Sequence, residues 1–261
     1  MFSELMNSFI IENLFFSLVF KNTRDVKGTV KGKSTVGESL SGKAGTRCNN
    51  KYFGHKIREL DEFKKKIIRD HGFGILLEYD GCLVPRNFVQ WIADQVDVNC
   101  CDILVGGKIV PFSTKSVHLF LGIPIGGEDI RQQKDESAKA NFLKEINETS
   151  LPLIKTFGKK LVGNTLSDDD IFRYFMVVAL STFLCPNSST LPSPKYLGAL
   201  IDVSTVKDWD WSKFVFEWLF ASISLYRKKQ RRTIGGYIYF FAVCLFSIAY
   251  FPINSFFVIY M

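Results

Sequence analysis

Between Ser167 and Pro186 the chain reads SDDDIFRYFMVVALSTFLCP, and this run constrains the fold more than any other. Ser167 suits the N-cap of a helix, Asp168 to Asp170 favour the positive end of its dipole, and Pro186 closes it. Almost every residue from Phe175 to Leu184 is apolar. A surface helix keeps a polar stripe, so a helix that is apolar all round belongs at the centre of a core. The rest of the fold must wrap around it.

A chain of 261 residues is long enough to supply that wrapping. Aromatics make up 15% of it, including 25 Phe, which excludes a largely disordered chain. HKIRELDEFKKKIIRDHG (55–72) places Ile57, Leu60, Phe63, Ile67 and Ile68 at helical spacing, with Lys64 intruding, and predicts a helix stopped by Gly72. PRNFVQWIADQVD predicts another, with Pro85 in its first turn and Phe88, Trp91, Ile92 and Gln95 or Val96 turned inward. In CDILVGGKIVPFS (101–113), two β-rich runs flank Gly106 and Gly107, the pattern of a two-residue hairpin. STKSVHLFLGIP then opens a short helix, capped by Ser113 or Thr114 and ended by Gly122 and Pro124. GGEDIRQQKDESAKANFLKEINE gives a loop and an exposed helix, and CPNSSTLPSPKYL a Pro-rich loop. DWDWSKFVFEWLFASISLYRKK gives a long helix with Phe214, Trp218, Ile223 and Leu225 among its buried residues. The expectation is a mainly α fold: a helical domain with one small β-hairpin at about 55 to 250, behind a flexible basic N-terminal leader (1–54), with an apolar tail at 251–261.

The formal net charge of +7 is unevenly spread. From Lys21 to Asp70 there are fourteen Lys and Arg against six Asp and Glu, a local excess of +8, so the remainder is close to neutral. Residues 21–54 are rich in Gly, Ser, Thr and Lys and lack an apolar period, as a flexible linker does. A basic leader on a neutral body suits an anionic partner, nucleic acid or a membrane surface, or a nuclear address; a solvated linker is the blander account. The first twenty residues carry Glu4 and Glu12 and no basic residue before Lys21, so they do not make a secretory signal. An amphipathic helix, or sequence outside the folded domain, fits them.

From Thr233 to Met261 there is no charged residue. As a helix, Ile234 to Phe251 would reach about 27 Å, close to the hydrocarbon thickness of a bilayer. RKKQRR (227–232) would hold that end in the cytoplasm. This gives a tail anchor at about 234–258. Its rival is a helix buried at the centre of the domain, and Gly235, Gly236 and Pro252 all interrupt a spanning helix. Both readings stay open at this level.

No catalytic, cofactor-binding or metal-ligating residue emerges. His55, His71 and His118 stand far apart, without a carboxylate or Cys at motif spacing. GIPIGG (122–127) lacks the GK[ST] of a phosphate loop and reads as a turn. SDDD lacks the alternating ligands of a calcium loop and reads as helix capping, and DWDW reads as a helix start with two aromatic anchors. Cys48, Cys82, Cys100, Cys101, Cys185 and Cys244 form no CxxC pair and read as free thiols in a reducing compartment.

The order of five segments carries a resemblance: FGILLEYDGCLVPRNFVQWIADQVD, ILVGGKIVPFSTKSVHLFLGIPIGGEDI, DDIFRYFMVVALSTFLCPNSSTLPSP, DWDWSKFVFEWLFASI and GGYIYFFAVCLF. Over about residues 72 to 246 the chain resembles a large group of plant proteins, abundant in grasses, related to the aminotransferase-like plant mobile domain. These are often found upstream of a ubiquitin-like (SUMO-type) protease domain in transposon-derived genes. The resemblance implies a mostly helical, transposon-associated module in the nucleus, with no established chemistry of its own. Nothing in the sequence matches a pyridoxal-phosphate lysine with its phosphate cradle, and the His, Asp and Cys of the protease half are not recognised here. GGYIYFFAVCLF is similar to the family's penultimate core helix, whereas SIAYFPINSFFVIYM departs from the pattern, as translation past an exon boundary would make it do. The functions expected are thus a non-enzymatic interaction module, truncated relative to its family, with an unidentified protein partner and non-specific nucleic-acid contact through the leader. The alternative is a tail-anchored membrane protein.

Overall fold

The computed structural model describes residues 45–79, 86–105, 108–130, 136–163, 165–238 and 240–241. The leader to residue 44, Cys82, Pro85, the Gly106–Gly107 turn, Cys244 and the tail at 251–261 lie outside them, as does the side chain of Phe88.

The central element is the one that the sequence singles out. Helix α7 (Asp168–Ala179) begins at Ser167, whose side chain accepts from the Asp170 amide, and continues into a wider π turn over Leu180–Leu184. Every residue from Ile171 to Pro186 is buried. Around this rod pack α2 (Glu62–Asp70) and α6 (Ile154–Val162), while α1 (Asn50–Arg58) lies against the π turn. A second layer is organised by α8 (Trp211–Arg227), which packs on α4 (Thr114–Leu121) and α3 (Arg86–Gln95). Helix α5 (Glu136–Glu145) buries Phe142, half-buries Leu143 against the core, and rests on the short turn Gly198–Leu200. The fold is mainly α.

The hairpin forms as the sequence predicts. Strands β3 (Asp102–Val105) and β4 (Lys108–Pro111) pair antiparallel with Val105 opposite Lys108, leaving a two-residue connection, and β2 (Val96–Asp97) adds a third short strand. The capping of α4 also matches: Ser113 and Ser116 form a reciprocal capping box, and Gly122 ends the helix in the left-handed region at φ 60°. In α8, Phe214 and Ile223 are buried, while Trp218 and Leu225 are only half-buried.

Four expectations change. The helix expected over 55–72 is two helices, because Asp61 accepts from the Lys64 amide and so caps a new start within what reads as one apolar period. Residues 45–54, expected in the leader, take part in the fold. Strand β1 (Gly45–Thr46) pairs with β5 (Thr233–Ile234), and Phe53 is fully buried, stacked 4.7 Å from Phe183. On α3, Val89, Ile92 and Ala93 form the buried face; Trp91 is half-buried, Gln95 is exposed, and Val96 is buried but already in β2. Helix α6 is not foreseen from the sequence at all. Its N-terminus has no side-chain cap, and Gly158 sits mid-helix because a Cβ there would collide with the Tyr52 hydroxyl of α1.

The uncharged C-terminal run enters this core. After β5, Gly235 and Gly236 pass so close to the Pro186 carbonyl and to Leu219 that a Cβ on either would be forced against them. Tyr237, Ile238, Phe240 and Phe241 are buried, with Phe241 edge-on to Phe112 at 4.6 Å and Tyr237 4.6 Å from Phe183. Among the described residues no helix is long and apolar enough to cross a membrane. The remainder of the run at 234–258 lies outside the described residues.

Candidate functional site

The residues that the sequence offers for chemistry are taken up by the architecture. His118 is half-buried, with Nδ1 2.7 Å from the Ile123 carbonyl. His71 places Nδ1 2.7 Å from the Ile67 carbonyl and stacks on Phe172, and His55 lies 3.1 Å from Glu59. The three are not brought together. The GIPIGG loop is a joint rather than a cradle. Gly126 and Gly127 have φ of 80° and 86°, and a Cβ on Gly127 would run into the Asp208 carbonyl oxygen. Beyond it the Glu128 amide donates to Asp208 at 2.7 Å, and Ser212 donates through Oγ to Ile123 and through its amide to Pro124. Trp211 of DWDW is buried and donates Nε1 to the Val206 carbonyl at 2.8 Å.

Cys48, Cys100, Cys101 and Cys185 are free thiols. Burial pushes the Cys48 thiol up to about 11 and that of Cys185 well above its ordinary value, the reverse of the shift that activates a thiol. No group of three or more His, Cys, Asp or Glu that could hold a metal ion occurs among the described residues.

Sequence reasoning misses the polar residues that the core does bury. Arg173, on the inner side of α7, is 6% exposed, and its guanidinium donates to the Leu200 and Ile201 carbonyls at 3.1 and 2.8 Å. The same group reaches Asp170 at 3.1 Å and Glu145 of α5 at 3.4 Å. The acidic cluster of SDDD therefore serves an arginine as well as the helix start. Lys64, the intruder on α2, is 4% exposed and caps the last turn of α6, with Nζ 3.1 Å from the Val162 carbonyl and 2.7 Å from Gly163. Tyr196 lies 2.6 Å from the Ser181 hydroxyl and accepts from the Ser193 amide. Each of these groups is spent on a fixed partner within the fold. None faces solvent as a reactive constellation would.

What the fold does present is positive charge at one edge. Helix α8 ends in a turn closed by amide bonds from Lys228 to Ser224, Lys229 to Tyr226 and Gln230 to Leu225, with Lys229 in the left-handed region at φ 57°. Lys228, Lys229, Arg231 and Arg232 are all exposed. The turn leads directly into β5, which pairs with β1 in parallel, Gly45 opposite Thr233. Arg47 thereby arrives beside the turn. Its Nε donates to the Thr233 hydroxyl at 2.6 Å, while Nη1 is buried without a hydrogen-bond partner. Burial, and then the charge of Arg231, lower the Arg47 pKa. Arg227 is set apart, since its guanidinium bonds the Val96 carbonyl. A helix C-terminus offers only about half a negative charge, so the dipole of α8 does not balance four exposed cations and Arg47.

The architecture thus defines a mainly helical module whose buried cations are committed to backbone carbonyls and whose α8 ends in an exposed basic turn. The chain belongs to the family described as Domain of unknown function (DUF8566), whose model matches residues 46–242. That span starts at β1 and ends one residue beyond the last described position. No curated protein and no solved structure matches the chain.

Proposed function

We propose that the chain is a non-enzymatic interaction module of transposon-derived origin, related to the plant mobile domain and working in the nucleus through contacts with nucleic acid and with a protein partner. The observation that carries this reading is the division of labour among its charges. Buried cations (Arg173 and Lys64) are committed to backbone carbonyls, whereas four cations of the α8 turn are exposed and the sequence from 21 to 44 carries a basic excess. Phosphate backbones are bound by such surpluses through release of condensed counterions, which requires no preformed pocket.

The reading as a tail anchor draws less support, because Ile234, Tyr237, Ile238, Phe240 and Phe241 already fill the core, and a span beginning at Ile234 would withdraw them from it. The test is fluorescence anisotropy of the full chain with a labelled duplex over a salt series, paired with alkaline extraction of membranes from cells expressing it. Binding that weakens steeply with salt, together with release by alkali, is expected. Retention in the membrane pellet after alkali, without binding to the duplex, would overturn the reading.

A further inference from the structure

We infer that Leu153 and Leu191, with Lys155 and Lys159 beside them, form a docking surface for a short acidic and apolar segment of a partner protein. The inference rests on the interaction-module reading above and gives its protein contact a place and a chemistry.

Two loops distant in sequence meet here. The Ile154 amide donates to the Thr190 carbonyl at 3.0 Å, which sets Leu153, at the start of α6, beside Leu191. Both leucines are exposed, at 50% and 38%. The exposure of Leu191 is built into its loop. The Asn187 side chain donates to the Leu191 carbonyl at 3.1 Å, the Ser189 amide donates to Asn187 Oδ1 at 2.7 Å, and the Leu191 amide donates to the Ser189 hydroxyl at 3.0 Å. A loop held by its own side chains costs little further ordering when a partner binds. Leu153 stands where Ser, Thr, Asp or Asn would cap a helix, and α6 has no side-chain cap. A leucine at that position forgoes the cap and leaves half of its own surface in water.

The charge around the leucines selects the partner. Residues 149–166 contain Lys155, Lys159 and Lys160 and no Asp or Glu, and residues 187–201 contain Lys195 and again no acid. Lys160 is held by Glu148 at 2.6 Å and Lys195 lies over the Trp218 ring. Lys155 and Lys159 are exposed, four residues apart on one side of α6, and carry no ion pair among the described residues. Like charges at this spacing repel, and the positive end of the α6 dipole adds to them. A carboxylate from outside relieves both. At a rise of about 1.5 Å per residue, Lys159 lies about 9 Å beyond Leu153, roughly the span of three extended residues, so one short segment reaches leucines and lysines together. A nucleic-acid backbone has no use for the leucines. An anionic membrane is met by apolar side chains that stand clear of the surface and enter the acyl region, which two leucines half sunk in the surface do not do.

The experiment selects binders of the full chain from a displayed library of random short peptides, then titrates labelled copies of the enriched peptides by fluorescence anisotropy over a salt series. The parent is compared with Leu153→Ser, alone and with Leu191→Ser, and with Lys155→Glu combined with Lys159→Glu. A control carries Leu104→Ser and Ile109→Thr, an exposed cross-strand pair on the hairpin. Enriched peptides should combine Leu, Ile or Phe with Asp or Glu. The double leucine variant should lose at least about tenfold in affinity, and the lysine variant about threefold to tenfold near 0.15 M salt together with most of the salt dependence. The hairpin control should bind as the parent does. Melting curves separate binding from folding, because Ser at the start of α6 supplies the missing cap, so Leu153→Ser should melt close to the parent while its binding falls. If the enriched peptides bind the leucine variants as tightly as the parent, the surface is elsewhere and this inference fails while protein contact by the module stands. Enrichment of basic or purely apolar peptides would overturn it as well. If the parent yields no peptide but binds duplex, the inference fails and the nucleic-acid contact stands; if it binds neither, the module reading itself fails. Binding to vesicles with about 30% phosphatidylserine that the leucine variants lose would put a membrane in place of the peptide and overturn the inference.

Discussion

Cys48 links β1 to α1 and sits between two backbone carbonyls, with Sγ 3.2 Å from Phe183 and 2.9 Å from Gly236. Burial is what raises its pKa from an ordinary 9.0 to about 11. An unfolded chain would lose this proton near pH 9, whereas the folded one keeps it to about pH 11, so in that window unfolding releases a proton. Stability is then fully present below about pH 9 and falls as pH rises toward 11; Cys185 and Tyr196, both raised by burial, act in the same direction. Urea midpoints at about pH 8 and about pH 10 should show the decline, and Cys48→Ala should remove part of it. An unchanged pH dependence in that variant would contradict the assignment. Gly127 shows a different kind of residue-level determinant. Its turn is legible in GIPIGG, but the reason for glycine there is the Asp208 carbonyl, eighty-one positions away.

Among the elements, α7 is tied to its neighbours by one side chain. Arg173 holds the Leu200 and Ile201 carbonyls and reaches α5 through Glu145. Replacing it by Met leaves the buried Leu200 carbonyl and the part-buried Ile201 carbonyl without this donor, and its carboxylate partners keep partial access to water, so the loss should come from the carbonyls. About 2 to 4 kcal/mol is expected, visible as a fall of several degrees in melting temperature. Arg173→Lys should recover little, because an ammonium lacks the fork that serves both carbonyls and Asp170 at once. A melting temperature within a degree of the parent in Arg173→Met would show that α7 holds without this tie. The ends of α4 and α7 are legible because their caps are local: Ser113 and Ser167 bond amides three residues on. Helix α6 is not, since its C-terminus is capped by Lys64 from another helix.

For the whole molecule, residues 45–54 belong to the fold through β1 and Phe53. A chain starting at Gly45 keeps the β1–β5 pair, the Cys48 contacts and the Phe53–Phe183 stack. One starting at His55 loses all three, and a buried Phe alone is worth about 3 to 5 kcal/mol. Calorimetry should show the first melting cooperatively, and the second melting at least about 10 °C lower than the first or without a cooperative transition. Equal melting of the two would show that residues 45–54 add nothing to the stability of the fold. The same closure of distant segments decides the fate of the C-terminal run. Its lack of charge is equally compatible with a bilayer and with a core, and only the packing of Tyr237 against Phe183 and of Phe241 against Phe112 distinguishes them for residues 234–241.

What the sequence determined by itself was the central helix, the mainly α class, the hairpin and the helix ends closed by their own neighbours. Each of these is written in a period or a cap spanning a few residues, where local backbone geometry dominates. The tertiary structure alone decided that Lys64 and Arg173 are buried, that residues 45–54 join the fold, and that the basic turn stands beside Arg47. These depend on pairings across many tens of residues, which hydrophobic burial selects and which no local pattern encodes.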